Sequence, residues 1–219
     1  MTLSRTLALA FASAALLLAA GCSGGSPPEQ PELDPSLAAN VLEGVPSDIA
    51  RTYVDFGSKV HLVGYKVEPE GVTAPGTLVK LTLYWQPQVR LGRGWRLFTH
   101  VLDDRDRQIA NLDNVGPLRK LEGAGPAEHQ TLGPSEWQPG KIYVDEQTFQ
   151  VPGDTRSTEL TFAVGVWRGN TRLPILSGRA DRQNRAIVAH LVTGLRPPPP
   201  APKASTSAAP APPVAPAPR

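Results

Sequence analysis

The stretch Leu78-Val-Lys-Leu-Thr-Leu-Tyr-Trp-Gln86 alternates strictly, with Leu81, Leu83 and Trp85 pointing one way and Lys80, Thr82 and Tyr84 the other. Successive residues of a strand face opposite sides of a sheet, so this pattern predicts a half-buried strand. Residues 159–167 repeat the idea, with Leu160, Phe162, Val164 and Val166 on one face. Working outward, further strands are expected over 60–67, 96–103, 108–113, 141–151, 172–176 and 187–192. Turn chemistry separates them: Pro75-Gly76, Gly92-Arg-Gly94, Pro139-Gly140, Pro152-Gly153-Asp154 and Gly169-Asn170. Residues 103–107 read as a hairpin loop. The glycine- and proline-containing stretch 114–139 reads as a large loop over one end. No long apolar stripe at helical spacing interrupts the series. Short strands at regular intervals predict an all-β fold, a single antiparallel β-sandwich of Ig-like or jelly-roll-like type, with a closed barrel as the alternative.

This domain is expected to span 53–195, a length that suits one core of ordinary size. Its flanks differ in kind. Residues 22–52 are expected to form a flexible tether, and residues 196–219, nearly all Pro, Ala and Ser, a disordered tail. Such compositions bury too little apolar surface to offset conformational entropy. Within the first flank, 35–42 has room for one or two helical turns. The formal net charge of +2 gives no electrostatic reason to expect a nucleic-acid partner.

The chain opens with one basic residue, Arg5, and then an apolar run from Leu7 to Ala20 broken only by Ser13. A basic start and about 7–15 apolar residues form the pattern of a secretory signal peptide, here 1–21, and the run is short for a membrane span. Leu17-Leu-Ala-Ala-Gly-Cys22 closes it. These residues resemble a bacterial lipobox, although Ala19 stands where that family usually has Leu. The resemblance implies cleavage before Cys22, diacylglycerol on its sulfur and acylation of the new amine. Cys22 is the only cysteine, so an internal disulfide is excluded and lipidation accounts for the thiol. Two or more acyl chains suffice for stable anchoring. Ser23, where an Asp resembles an inner-membrane retention signal, favours the outer membrane.

Four further segments occur in order: Leu81-Thr-Leu-Tyr-Trp-Gln86, Phe98-Thr-His-Val-Leu-Asp103, Trp137-Gln-Pro-Gly-Lys141, and Val164-Gly-Val-Trp167 followed by Arg172-Leu-Pro174. Together they resemble a β-sandwich accessory domain appended to bacterial membrane glycosyltransferases of the mannosyltransferase-like class. The resemblance covers about 60–175 and implies a sandwich with carbohydrate or cell-surface biology. It supplies no activity, since the accessory part is not the catalytic part.

Catalytic motifs are missing. There is no Gly-x-Ser-x-Gly elbow, no phosphate-cradling loop and no His-Glu-x-x-His helix. The four histidines, His61, His100, His129 and His190, lack metal-ligand spacing, so no metal and no cofactor are expected. His100 shares a strand face with Phe98 and Leu102 and reads as a partly buried sandwich histidine. Asp103, Asp104 and Asp106, with Asn111, Asp113 and Asn114, offer oxygen ligands, but Arg105 and Arg107 would repel a cation. Arg179, Arg182 and Arg185 beside Asp181 read as an exposed cluster that could instead grip an acidic sugar or phosphate. Tyr84, Trp95, Trp137 and Trp167 are the ligand-binding candidates, because aromatic rings can stack on sugars. Tryptophans in sandwiches more often fill the core. The expected function is a non-enzymatic, lipid-anchored envelope protein that binds glycan or, alternatively, another envelope protein. An uncharacterised hydrolase ranks last.

Overall fold

The computed structural model describes residues 34–125 and 128–194. The expected signal, Cys22 and the tail at 196–219 lie outside the described residues. A helical turn, α1 (Pro35–Ala38), precedes strands β1 (Val41–Leu42), β2 (Ala50–Phe56), β3 (Val60–Glu68), β4 (Leu78–Pro87), β5 (Arg96–Leu102) and β6 (Gln108–Asn111). A 3-10 turn, Pro117–Arg119, leads into β7 (Leu121–Glu122) and β8 (His129–Gln130), followed by β9 (Ile142–Gln150), β10 (Glu159–Arg168), β11 (Thr171–Arg172), β12 (Ile175–Ser177) and β13 (Ala186–Val192).

The strands form two antiparallel sheets. One has six strands in the order β1-β9-β4-β3-β2-β12; the other runs β11-β10-β5-β6, with β13 also paired to β10. Two separate sheets, not one closed sheet, decide for the sandwich over the barrel. The alternation in β4 explains the packing: Val79, Leu81, Leu83 and Trp85 are buried between the sheets, facing Leu160, Phe162, Val164 and Val166 of β10 in one core.

The strand expected over 172–176 is two strands in different sheets. β11 pairs with β10, whereas β12 pairs with β2. Leu173 and Pro174 lie at the switch; Leu173 is buried in the core, and proline has no N–H for a ladder.

The domain begins earlier than 53, and residues 34–52 are not a free tether. Leu37 packs into the main core, and Asn40 donates its side-chain N–H to the Val144 carbonyl. β1 pairs with β9. Leu42, Val45 and Ile49 then lie against Tyr84, Ile142 and Val144 on the outer face of the six-stranded sheet. Gly64 permits this approach, because a Cβ there would sit 2.3 Å from the Ile49 side chain. A proline-bearing, polar-looking segment hid scattered apolar residues that match a strip on the sheet.

The stretch 114–139 also does more than cover an end. Leu118, Leu132 and Trp137 are core residues. Arg119 is fully buried and lies between the sheets. Its Nη2 donates to Asp145 Oδ2 on β9 at 2.7 Å and to Thr99 Oγ1 on β5 at 2.9 Å. Asp145 also accepts from Trp85 Nε1 and Gln147 Nε2. A buried ion pair of this kind requires nearly all its lone pairs and protons to be used, because desolvating either charge alone is costly. Gly116 brings the chain in, since a Cβ there would lie 2.1 Å from the Glu146 carbonyl oxygen and its φ is +108°.

Candidate functional site

The outer face of the smaller sheet carries a different surface. Odd-numbered residues of β10 and even-numbered residues of β5 point outward, and the register sets them side by side. Trp167 lies opposite Arg96 on β5 and opposite Arg172 on β11, so an arginine flanks the indole on each neighbouring strand. The next rows pair Gly165 with Phe98 and Ala163 with His100. Gly165 is required by close approach: a Cβ there would be 2.4 Å from the Phe98 ring. Small residues under Phe98 and His100 let both rings settle on the sheet, 5.0 Å apart.

The turn Gly169-Asn170 brings Arg172 back beside Trp167. Gly169 has φ of +57°, a left-handed conformation that glycine takes without strain. The Arg172 guanidinium lies 4.6 Å from the Phe98 ring centroid, and its Nη1 donates to the Gln183 carbonyl. A hollow of about 260 Å³ results, bounded by Phe98, His100, Asp113, Trp167, Asn170 and Arg172. A second of about 260 Å³ lies on the other side of Trp167 and Gly169, bounded by Gly94, Arg96, Glu128 and Arg168. Both are at the small end for ligand pockets, which suits a chain of small rings better than one bulky molecule.

Charges in the hollows fall into two groups. Asp113 accepts from the Thr99 backbone N–H at 3.0 Å and from Asn111 Nδ2 at 3.1 Å. Glu128 accepts from Arg96 Nη2 at 3.1 Å. Arg168 and Arg172, by contrast, have no carboxylate within salt-bridge distance among the described residues, and each guanidinium stacks on an aromatic ring. His100 Nε2 is 3.8 Å from Asp113 Oδ1, too far for a hydrogen bond. Burial pushes the imidazole below its usual value; Asp113 opposes that shift, while Arg185 and Arg172 add to it. His100 is therefore neutral at pH 7. Its Nδ1 and the Trp167 Nε1 are both buried without a hydrogen-bond partner among the described residues. Each such orphan costs about 1–3 kcal/mol, and native proteins tolerate few of them.

Of the aromatic candidates, Trp167 alone is half-buried and lines a hollow. Tyr84 is sealed under residues 42–49. Trp95 is core, with Arg168 stacked 4.7 Å from its ring centroid. Trp137, expected on a loop, is 1% exposed, stacks on Tyr143 at 4.9 Å and donates Nε1 to the Leu132 carbonyl. These three have no face free for a ligand.

The remaining sequence candidates are dispersed. Asp103 is a turn residue, accepting from the backbone of Arg105 and Arg107 and from the Arg107 side chain. The three arginines at 179–185 do not act together. Arg185 is buried on Asp181, and Arg179 donates to His190. His61 sits by Tyr53 and Asp55, His129 by Arg93 and Glu122, and His190 by Glu159. No group of three or more His, Cys, Asp or Glu gathers at metal-binding distance among the described residues. Arg96 and Arg172 were not singled out from sequence as site residues, Asp113 was read only as one of a set of oxygen ligands, and Phe98 only as a face neighbour of His100. One signal was readable: a two-residue turn after Arg168 puts Trp167 opposite Arg172. No protein-family model and no curated protein matches this chain.

Proposed function

We propose that the chain is an exported lipoprotein, anchored through Cys22, whose sandwich is a non-catalytic module that binds glycan through Trp167. The observation that carries the reading is the row Arg96–Trp167–Arg172, an aromatic plate between two planar cations on an open sheet face. Such a surface matches sugar chemistry: a ring's C–H face against the indole, and hydroxyls within reach of Arg, Asp and Asn side chains. The resemblance over 60–175 to a glycosyltransferase-appended sandwich points the same way. The anchor rests on the lipobox-like residues before Cys22.

Two experiments test the two halves. Expressed in a bacterial host, wild type is expected to lose the residues before Cys22, gain acyl mass and partition into detergent. Cys22→Ala is expected to do none of these, and a soluble, unacylated wild type would sink the anchor. Separately, Trp167→Ala is expected to weaken binding to bacterial surface polysaccharide at least tenfold, about 1.4 kcal/mol. Equal binding by wild type and variant would remove the site.

One observation favours a hydrolytic reading, the approach of His100 to Asp113 in the first hollow. Glycoside hydrolysis generally takes two carboxyl groups flanking the bond. The first hollow has one, already held by Thr99 and Asn111, so the binding reading stands ahead. An assembly role would draw instead on β12, an edge strand with Leu176 59% exposed.

A further inference from the structure

The two hollows beside Trp167 are alike in one respect that narrows the ligand. Each contains a carboxylate held by neighbouring donors and a guanidinium that has no carboxylate within salt-bridge distance among the described residues. In the first, Asp113 is held by Thr99 and Asn111, and Arg172 is the uncompensated charge. In the second, Glu128 is held by Arg96, and Arg168 is the uncompensated charge. His100, neutral at pH 7, adds no charge of its own. Stacking uses the face of a guanidinium and leaves its in-plane N–H donors directed outward. Arg172 spends one of these, from Nη1, on the Gln183 carbonyl. Both arginines are thus oriented by an aromatic ring, Phe98 or Trp95, with donors remaining. Oriented guanidinium forks match carboxylates, with which they form paired hydrogen bonds.

We infer that the ligand is an acidic oligosaccharide of at least two sugar units, lying across Trp167 with carboxylates on Arg172 and Arg168. This deepens the glycan reading and rests on it. Because both hollows share Trp167 and Gly169, one ring on the indole can place its neighbours to either side. The anion-binding surface is not the arginine-rich segment 179–185, whose Arg185 is already neutralised by Asp181.

The test titrates the full-length protein with oligomers of galacturonic acid, of N-acetylneuraminic acid and of alternating glucuronic acid. Each is compared with its carboxyl-reduced counterpart, which keeps the rings and loses the charge. Wild type, Trp167→Ala, Arg168→Gln and Arg172→Gln are compared, with unfolding midpoints recorded to confirm that each variant is folded. At least one acidic oligomer is expected to bind about tenfold or more tighter than its reduced form, the loss expected for one charge-assisted contact. Arg168→Gln and Arg172→Gln should each erase most of that preference, weakening binding of the acidic oligomer far more than that of its reduced form. Equal affinity for acidic and reduced oligomers, unaltered by the arginine variants but abolished by Trp167→Ala, overturns the acidic assignment and leaves the glycan site. No binding of any oligomer by folded wild type overturns both.

Discussion

The two outer faces of the sandwich carry comparable aromatic residues and meet opposite fates. On the six-stranded sheet, Tyr84 lies at an outward position of β4, between Ile142 and Val144 of β9 and Val63 of β3. Residues Leu42, Val45 and Ile49 cover it. On the smaller sheet, Trp167 lies at an outward position of β10 among Arg96, Phe98 and Arg172, and among the described residues no comparable apolar strip lies over it. An outward aromatic is thus a binding candidate only if nothing distant in sequence is folded over it. The neighbours differ in kind as well. Tyr84 sits among branched aliphatics, which recruit an apolar cover; Trp167 sits between cations, which keep the face wet and discourage one.

The largest expected effect lies between the faces. Arg119→Ala should destabilise the domain by about 3–5 kcal/mol, because Asp145 is left buried and uncompensated. Urea unfolding would measure it, and a loss under about 1 kcal/mol would show that the pair does not link the two sheets.

Next come the sealed and open faces compared directly. Gly64→Val should drive a side chain into Ile49 and cost about 1–3 kcal/mol, the usual range for overpacking. The same substitution at Gly169, where no atom lies within 4 Å, should cost only the strain of its positive φ, of order 1–3 kcal/mol, with no loss of cover. The sharper readout is protection of the cover: amide exchange over 42–49 should accelerate in Gly64→Val and stay unchanged in the Gly169 variant. Identical exchange in both would break the comparison.

Trp167→Ala should cost less stability than Tyr84→Ala, since the indole is half-buried and the phenol is 8% exposed. Thermal unfolding should therefore rank the two, each kcal/mol moving the midpoint by about 2–4 °C for a chain this size. A reversed order would mean that the open face is the better packed of the two.

The smallest effect is on pH. His100 in the folded protein titrates below its ordinary value near 6.5, because burial disfavours the imidazolium. Well above pH of about 6.5 neither state carries the proton, and the group contributes no pH dependence. As pH falls below that, the unfolded chain takes the proton first, so stability declines until the folded pKa is reached. Asp181 behaves in a lower window. Burial opposes its ionisation, but the bonds from Arg185 and Gln183 outweigh it and hold the carboxyl below its usual value. Its stabilisation is complete above about pH 4 and lost as pH falls through the folded pKa. His100→Gln should flatten stability between pH 7 and 5 and leave the decline below pH 4 intact. A profile unchanged by the substitution would remove His100 as its source.

Much of the fold was legible because period-two burial is a local signal. The strands expected at 78–86 and 159–167 match β4 and β10 to within a residue. The strand β2 was not recognised, because Arg51, Thr52 and Asp55 break its apolar pattern and it was assigned in part to a tether. In the candidate site, Trp167 was visible as an outward aromatic, and so was His100 beside Phe98. Arg96 was not, because its place beside Trp167 follows from the β5–β10 register, which joins residues far apart in the chain. Tyr84, Trp95 and Trp137, named as ligand candidates although core filling is the commoner fate of such rings, are buried for one shared reason: burial depends on what arrives from elsewhere.

By itself the sequence determined the class of fold, the alternation of its main strands and the lipobox-like context of Cys22, each of which is a matter of neighbours along the chain. Only the tertiary structure decided that 34–49 closes one outer face, that Arg119 and Trp137 leave their loop for the core, and that Trp167 stands between two arginines. These are settled by register and by contacts between distant segments. Their free energy comes from surface removed from water and charges brought together, and neither quantity is written in any local stretch of residues.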